Sequence, residues 1–258
     1  MKNILRRFKW LVSVQLGINL KRTLQSIRGV PRYIQHWYQF RRDYKGQINF
    51  YPCLHDWFEE GGASKSDYFW QDLYVARKIH AAAPPKHVDV GSRIDGFVAH
   101  VAAFREIEVF DIRPITTSIP GIRFRQADLM RPSDTYTDYC ESLSCLHALE
   151  HFGLGRYGDP IDANGHLNGL ANMANMLRRG GTLYLSIPIG LERVEFNAHR
   201  IFNPTAFVQT AARSGLTLAE FAWFEPDQHI VQSSDIAHDL ERLGQLSHNL
   251  GIFTFTRQ

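Results

Sequence analysis

His87-Val88-Asp89-Val90-Gly91-Ser92-Arg93-Ile94-Asp95-Gly96-Phe97 is the stretch on which the reading of this chain turns. The first four residues suit a buried strand that stops at Gly91. A polar turn follows, and Gly96 opens an amphipathic run through Val98, Val101, Ala102 and Phe104. Strand, tight turn and helix in that order form the unit with which an α/β sheet holds a nucleotide-like ligand. Glycine at the strand end lets ligand atoms reach the backbone with no Cβ in the way, and a helix start offers unpaired N–H groups.

A second strand is expected over residues 106–112, carrying Asp111 twenty residues after Gly91. At that spacing a carboxylate accepts hydrogen bonds from ribose hydroxyls in dinucleotide-binding units. The glycines depart from the dinucleotide pattern G-x-G-x-x-G, because Arg93 stands where the second is required and only Gly96 fills the last position. A pyrophosphate would meet the Arg93 side chain. An adenosine ligand without a pyrophosphate fits better, and S-adenosylmethionine is one.

The alternation continues on both sides of this unit. Upstream, Ser64 or Ser66 caps a helix carrying Tyr68, Phe69, Leu73, Val75, Ala76 and Ile79, which Pro84-Pro85 breaks. Such a helix covers the ligand, with Tyr68, Gln71 and Asp72 facing it, or packs as core. Downstream, Ile122-Arg123-Phe124-Arg125 alternates as a strand and leads to Asp128-Leu129, and residues 138–143 make a fourth strand. A helix over 165–178 stops at Gly180-Gly181, before a central strand over 182–187. Asn203 and Pro204 cap the next helix, which closes at Gly215, and strands over 216–224 and 252–256 finish the chain. This order predicts a doubly wound, mainly parallel sheet.

The chain has 258 residues, 44% of them hydrophobic, enough for one sizeable core with an appendage. Cys53, Cys140 and Cys145 form no C-x-x-C pair, which indicates neither a disulfide framework nor a thiolate zinc site, and makes a reducing cytoplasm the expected compartment. Residues 1–45 hold 11 Lys or Arg against one acid, Asp43, whereas the remainder is acidic on balance. Within this arm Leu5, Phe8, Val12, Leu16, Leu20, Leu24 and Ile27 recur at helical steps between flanking bases, as in a helix lying on an anionic inner-membrane surface. Packing of the arm on the domain is the alternative. The apolar run over 10–20 is too short to span a bilayer, is interrupted by Gln15 and Asn19, and lacks a cleavage site. Nucleic acid is not an expected partner, because the acidic body would repel phosphates and no recognition motif is present. The expected divisions are the arm, 1–45, a connector and capping helix, 46–86, and an α/β domain, 87–258.

Six strings carry a resemblance: QDLYVARKI, HVDVGSRIDGFVAHV, EVFDIRP, LHALEHFGLGRYGDPID, LYLSIPIG and FNAHRIFNP. With the glycine turn and the acids after the second and third strands, they make the chain similar to class I S-adenosylmethionine-dependent methyltransferases. More narrowly, residues 50–225 resemble the bacterial family catalogued as domain of unknown function 268, often associated with surface polysaccharide assembly. The resemblance implies a Rossmann-like sheet of about seven strands with the last antiparallel. It also implies that Asp89 and Gly91, with Ser92 and Gly96, line the methionine end, that Asp111 holds the ribose, and that Asp128 and Leu129 edge the adenine. Arg93 departs from the family turn, either pairing with the methionine carboxylate of the cofactor or standing solvated beside a degenerate pocket.

The other dense cluster runs from His147 to Asp159. His147 to His151 matches the zinc-peptidase pattern H-x-x-E-H, but Gly153, Gly155 and Gly158 follow too closely for the helix that pattern requires. These residues instead follow the fourth strand's carboxyl end, beside a transferable methyl group. Methyl transfer from a sulfonium is an in-line displacement that needs the acceptor brought close and its proton removed. His151 is the expected base, with His147 beside it and Glu150 or Asp159 orienting it or the sugar. His199 and Arg200 contribute from the loop after strand five, and Arg156 and Tyr157 contact the acceptor. A divalent metal on Glu150 and Asp159 is an alternative to the base. The expected function is O-methylation of a sugar hydroxyl in a surface polysaccharide, such as an O-antigen, or its lipid-linked precursor, by an enzyme peripheral on the inner membrane. Two other readings stay open: a non-catalytic interaction module in a glycan-assembly complex, and a methyltransferase for a small metabolite or protein.

Overall fold

The computed structural model describes residues 19–59, 61, 66–227 and 229–258, together with Ser13 and Gly17. Leu5, Phe8, Val12 and Leu16 of the arm lie outside the described residues. The chain divides into two units, Met1–Ala63 and Ser64–Gln258. The expected capping helix therefore groups with the sheet rather than with the connector.

In the first unit one long helix dominates, α1 (Leu20–Asp43), with Asn19 capping its start through a 3.1 Å bond from the Arg22 N–H. Leu24, Ile27, Ile34 and Tyr38 follow Leu20 by four, seven, fourteen and eighteen residues, so all five share one face, and all are exposed. The opposite side meets the connector. Gly29 is buried where a Cβ would stand 2.0 Å from the Leu54 carbonyl oxygen, and Arg32 lies 4.2 Å from the Trp57 ring centre. No described helix is long and apolar enough to cross a membrane.

The second unit begins with α2 (Asp67–Ala82), capped by the Ser66 hydroxyl on the Tyr68 N–H at 3.2 Å and ended by Ala83 in the left-handed region, φ 42°, ahead of Pro84. The chain then forms β1 (His87–Val90), a turn over Ile94–Val98, α3 (Ala99–Ala102), β2 (Ile107–Asp111), β3 (Ile122–Gln126) and β4 (Cys140–Leu146). There follow α4 (Gly165–Met176), β5 (Leu177–Ile189), the short pair β6 (Arg193–Glu195) and β7 (His199–Ile201), and α5 (Pro204–Arg213). Last come β8 (Leu216–Glu225), β9 (His229–Gln232), α6 (Ile236–Gly244) and β10 (Asn249–Arg257).

Among the described residues eight strands form one sheet in the order β3-β2-β1-β4-β5-β10-β8-β9. The first five are parallel, and β10 runs antiparallel between β5 and β8. Period-two alternation divides the apolar residues between two faces. Val75, Ile79, Val101, Ile107, Val109 and Ile252 pack with α2 and α3, while Phe110, Leu185, Phe253 and Phe255 pack with α4, α5 and α6. The sheet is thus doubly wound, and its carboxyl ends open toward the turn after β1.

Three expectations are corrected. The helix after the turn is shorter than the apolar run suggests, four residues in α3. Helix α4 ends at Met176, because buried Leu177 is drawn into the sheet opposite Cys140 before the ladder resumes at Ser142 with Thr182. Gly180 and Gly181 are therefore a bulge within β5, with Gly180 at φ +76°, rather than a helix stop. Edge strand β9 and the β6–β7 pair were not expected, being only four and three residues long, too short for a period to register.

Candidate functional site

A cavity of about 290 Å³ lies in the second unit at the carboxyl ends of β1, β2 and β4. Gly91 to Arg93, Asp111, Asp128 to Met130 and the segment after β4 line it, and Tyr68, Gln71 and Asp72 of α2 close it.

The turn is shaped for glycine. Gly91 has φ +72°, and a Cβ there would stand 2.8 Å from Ala148 Cβ. Gly91→Ala is expected to destabilise the protein by about 1–3 kcal/mol, measured by urea unfolding; an unchanged midpoint would mean that the turn relaxes freely.

Asp89 does not line the cavity, contrary to the expectation that it meets the methionine end. It is wholly buried beneath the turn, accepting from the Ser92 N–H at 3.0 Å, the Ser92 hydroxyl at 2.6 Å and the Ser144 hydroxyl at 2.5 Å. The Ser92 hydroxyl accepts in turn from the Leu146 N–H at 3.1 Å. With its hydrogen on Asp89, Ser144 accepts from Nε2 of buried His87 at 3.2 Å, while Ser142 donates to Nδ1 at 2.8 Å. Burial lowers His87 to about 3 and keeps it neutral; burial also raises Asp89, which the serine hydrogen bonds hold at about 6. The strand's polar residues therefore fix the turn rather than face the cavity.

Gly96 also stands off the cavity lining; a Cβ there would come 2.7 Å from Asp72 Oδ2, so this glycine lets α2 close on the turn. Arg93 is at the wall, but its guanidinium forms two bonds to Asp95, at 2.8 and 3.2 Å. Asp111 sits at the end of β2, with both oxygens engaged by Arg113: Nη2 to Oδ2 at 2.6 Å and Nε to Oδ1 at 3.0 Å. The Arg113 guanidinium lies 4.4 Å from the Tyr157 ring centre. Asp128 accepts from the Met130 N–H at 3.0 Å, and Leu129 and Met130 give that wall an apolar surface.

Opposite lies a cluster from the segment after β4. His147, at φ +52°, donates from Nδ1 to Glu150 Oε1 at 2.9 Å, and its ring rests 4.5 Å from that of Tyr68. Both members are buried, with their second polar atoms, His147 Nε2 and Glu150 Oε2, lacking a partner. Burial favours the neutral forms, but the hydrogen bond and charge between them prevail, so His147 is held above the ordinary imidazole value and Glu150 below the carboxylate value. His151 is different. Its Nδ1 is 2.7 Å from the Ala198 carbonyl oxygen, which can only accept, so Nδ1 carries the hydrogen and Nε2 the lone pair, 3.7 Å from Glu150 Oε1. Burial lowers this imidazole and keeps it neutral. Burial also raises the Tyr68 phenol, with Glu150 adding to it, to about 12.

Two expected site residues hold loops: Asp159, which also lines the cavity, and Arg200, which does not. The Asp159 carboxylate accepts from the backbone of Gly153 at 2.8 Å, Gly155 at 3.1 Å and Tyr157 at 3.1 Å, which is why the glycines crowd there. Arg200 is buried and lies outside the cavity, donating to the carbonyls of Phe152 at 2.6 Å and Glu150 at 3.3 Å. His199, Arg156 and Tyr157 do line the cavity, with Arg156 on the Ala198 carbonyl at 2.8 Å and the Tyr157 ring edge-on to His151. Sequence reasoning missed Arg113 and His248. Arg113 was within sight in EVFDIRP, two residues past the acid; His248 precedes the last strand with no neighbour in sequence that marks it.

The family described as Caenorhabditis protein of unknown function, DUF268, matches residues 117–227. That match is narrower than the strings suggest, and its description names Caenorhabditis, so it lends no support to the bacterial placing. No curated protein matches the sequence. Among solved structures, the chain is similar to the 1,6-didemethyltoxoflavin-N1-methyltransferase of Burkholderia thailandensis, solved with 1,6-didemethyltoxoflavin and S-adenosylhomocysteine, at 12% identity over 79% of this chain and 81% of that one, TM-score 0.53. It is also similar to a TehB-like SAM-dependent methyltransferase from Corynebacterium glutamicum, at 18% identity over 88% and 97%, TM-score 0.50. With the strand order above, these likenesses give the chain the Rossmann-like methyltransferase fold.

Proposed function

We propose that this protein is an S-adenosylmethionine-dependent O-methyltransferase acting on a sugar hydroxyl of a surface polysaccharide or its lipid-linked precursor, in the cytoplasm and at an anionic membrane face. One observation carries the reading: a single cavity at the strand ends is lined both by Asp111, a carboxylate at the ribose position, and by His151, a neutral imidazole with a fixed tautomer.

The residues present suit the cofactor. Gly91 has no side chain to meet the methionine end, Asp111 is placed for the ribose diol, and Leu129 and Met130 offer an apolar wall to the adenine. When bound, S-adenosylmethionine supplies a sulfonium methyl group, an electrophile that needs no further activation. The acceptor proton passes to Nε2 of His151, and Glu150, 3.7 Å away, steadies the imidazolium that results. The Ala198 carbonyl keeps Nδ1 protonated throughout. Because burial lowers His151, the acid limb of the turnover profile is expected below the ordinary imidazole value of 6.5.

Calorimetric titration with S-adenosylmethionine and S-adenosylhomocysteine tests the reading. Micromolar binding, about 8 kcal/mol, that weakens in Asp111→Ala supports it. Folded protein that binds neither is instead an interaction module of a glycan-assembly complex, the reading favoured by Arg113 occupying both Asp111 oxygens. The membrane part rests on α1, whose exposed apolar face is accompanied by six bases, Lys21, Arg22, Arg28, Arg32, Arg41 and Arg42, against Asp43. Co-sedimentation with phosphatidylglycerol vesicles, lost at high salt or on deleting residues 1–45, is the expected result. Equal recovery with neutral vesicles would remove this part alone.

A further inference from the structure

Arg93, Arg113 and Arg156 all line the cavity, but their charges are not answered alike. Arg93 is paired with Asp95 and Arg113 with Asp111. Among the described residues, no carboxylate comes within ion-pair distance of Arg156, and its Nε and Nη2 hydrogens meet no acceptor. Asp159, three residues on, commits its carboxylate to the N–H groups of Gly153, Gly155 and Tyr157. The groups that hold the Arg156 guanidinium are neutral: the Ala198 carbonyl oxygen, 2.8 Å from Nη1, and the Tyr157 ring, whose centre is 5.1 Å away.

That carbonyl oxygen holds a second group. It also accepts from Nδ1 of His151 at 2.7 Å, so the imidazole and the guanidinium are fixed side by side, with Nδ1 and Nη1 3.5 Å apart. A base with a permanent cation beside it works against itself, because taking a proton sets two positive charges against each other. Glu150, 3.7 Å from Nε2 of His151, opposes this, but it already bonds His147 at 2.9 Å. An anion on the open side of Arg156 removes the conflict, since the neighbouring cation then belongs to an ion pair.

We infer that the sugar to be methylated carries an anionic oxygen group, a carboxylate or a phosphate, which Arg156 binds while a hydroxyl of the same sugar faces Nε2 of His151. This rests on the methyl-transfer reading and narrows its acceptor to an acidic sugar. The planar fork of a guanidinium meets either group with paired hydrogen bonds. An imidazole is narrower than a sugar ring, so an anion on one side of it and a hydroxyl on the other fall within one residue. In the step itself the hydroxyl proton goes to His151 Nε2 and the oxygen bonds to the methyl carbon. The carbon–sulfur bond breaks with its electron pair left on sulfur, which becomes a neutral thioether. The anion makes and breaks no covalent bond; it fixes which hydroxyl meets the base.

The test uses the full chain loaded with S-adenosylhomocysteine, with glucuronate, glucose 6-phosphate and glucose as probes. Calorimetry gives the affinities and NMR follows the imidazole nitrogens of His151. At least one acidic sugar is expected to bind about tenfold or more tighter than glucose and to shift the His151 signals. The tighter of the two distinguishes carboxylate from phosphate. Arg156→Gln should abolish the preference and Arg156→Lys should keep part of it, with the affinity for S-adenosylhomocysteine and the thermal midpoint near those of the unaltered protein. Acidic sugars that bind no better than glucose, a preference that survives Arg156→Gln, or an acidic sugar that leaves His151 unmoved would overturn the inference. Binding of S-adenosylhomocysteine, measured first, separates the failures: cofactor binding without a preference for acidic sugars removes this inference alone, and no cofactor binding removes the reading beneath it.

Discussion

His151→Ala is expected to lower turnover by about two to four orders of magnitude, while S-adenosylhomocysteine affinity and the thermal midpoint stay near those of the unaltered protein. The size follows from what the imidazole alone supplies. Sugar hydroxyls hold their protons at neutral pH, so the displacement needs a group that takes the proton as the oxygen attacks. His151 is neutral through burial, its tautomer is set by the Ala198 carbonyl, and Glu150 lies 3.7 Å from Nε2 to receive the charge formed. His147 gives its Nδ1 hydrogen to Glu150, whose hydrogen bond and charge hold it above the ordinary imidazole value against burial. Steady-state kinetics beside calorimetry checks the expectation, and an equal loss of turnover and cofactor affinity would remove His151 as the base.

The second large effect lies beneath the turn. Asp89 is raised from 3.8 to about 6 in the folded protein by burial, which the Ser144 and Ser92 hydrogen bonds only partly offset. The folded state thus binds a proton more tightly than the unfolded chain. The stability this contributes is fully present below about pH 4, falls as the pH rises through 6, and is absent above that. The fall amounts to about 3 kcal/mol. Asp89→Asn has no such proton, so denaturant unfolding of the two proteins between pH 4 and 7 should diverge in slope by that amount, whatever the constant offset from replacing one acceptor oxygen with an amide nitrogen. Parallel pH profiles would mean that Asp89 titrates near its ordinary value and that the network with Ser92, Ser144 and His87 relaxes around the charge.

The same strand shows what the sequence could convey. Gly91, Asp111 and the segment from His147 to His151 were legible because period and spacing fix them: a strand must stop before a glycine turn, and the ends of parallel strands must converge. Asp89 was placed on the correct strand but assigned the wrong direction. Period two says that its side chain leaves one face; it does not say that Ser142 and Ser144 of a strand fifty-odd residues later make that face polar. Arg200 was misread for a related reason, and Asp159, although at the cavity wall, has its carboxylate committed to a loop. Each looks like a site residue by composition, yet each answers backbone groups of one loop, three N–H groups for the acid and two carbonyls within 3.3 Å for the base. Only the folded loop reveals those demands. Leu177 entering the sheet, and with it the conversion of a Gly-Gly helix stop into a bulge, likewise depends on a partner across the ladder.

Arg113 gives Asp111 a partner before any ligand arrives. A ribose that takes both carboxylate oxygens must displace the guanidinium, so the affinity measured for an adenosine ligand is a difference between two partnerships of one acid. The released cation has a resting place against the Tyr157 ring, which it already touches. The exchange therefore leaves that cation without its carboxylate beside the loop carrying Tyr157 and Arg156. Cofactor affinity would then depend on how readily a single salt bridge gives way.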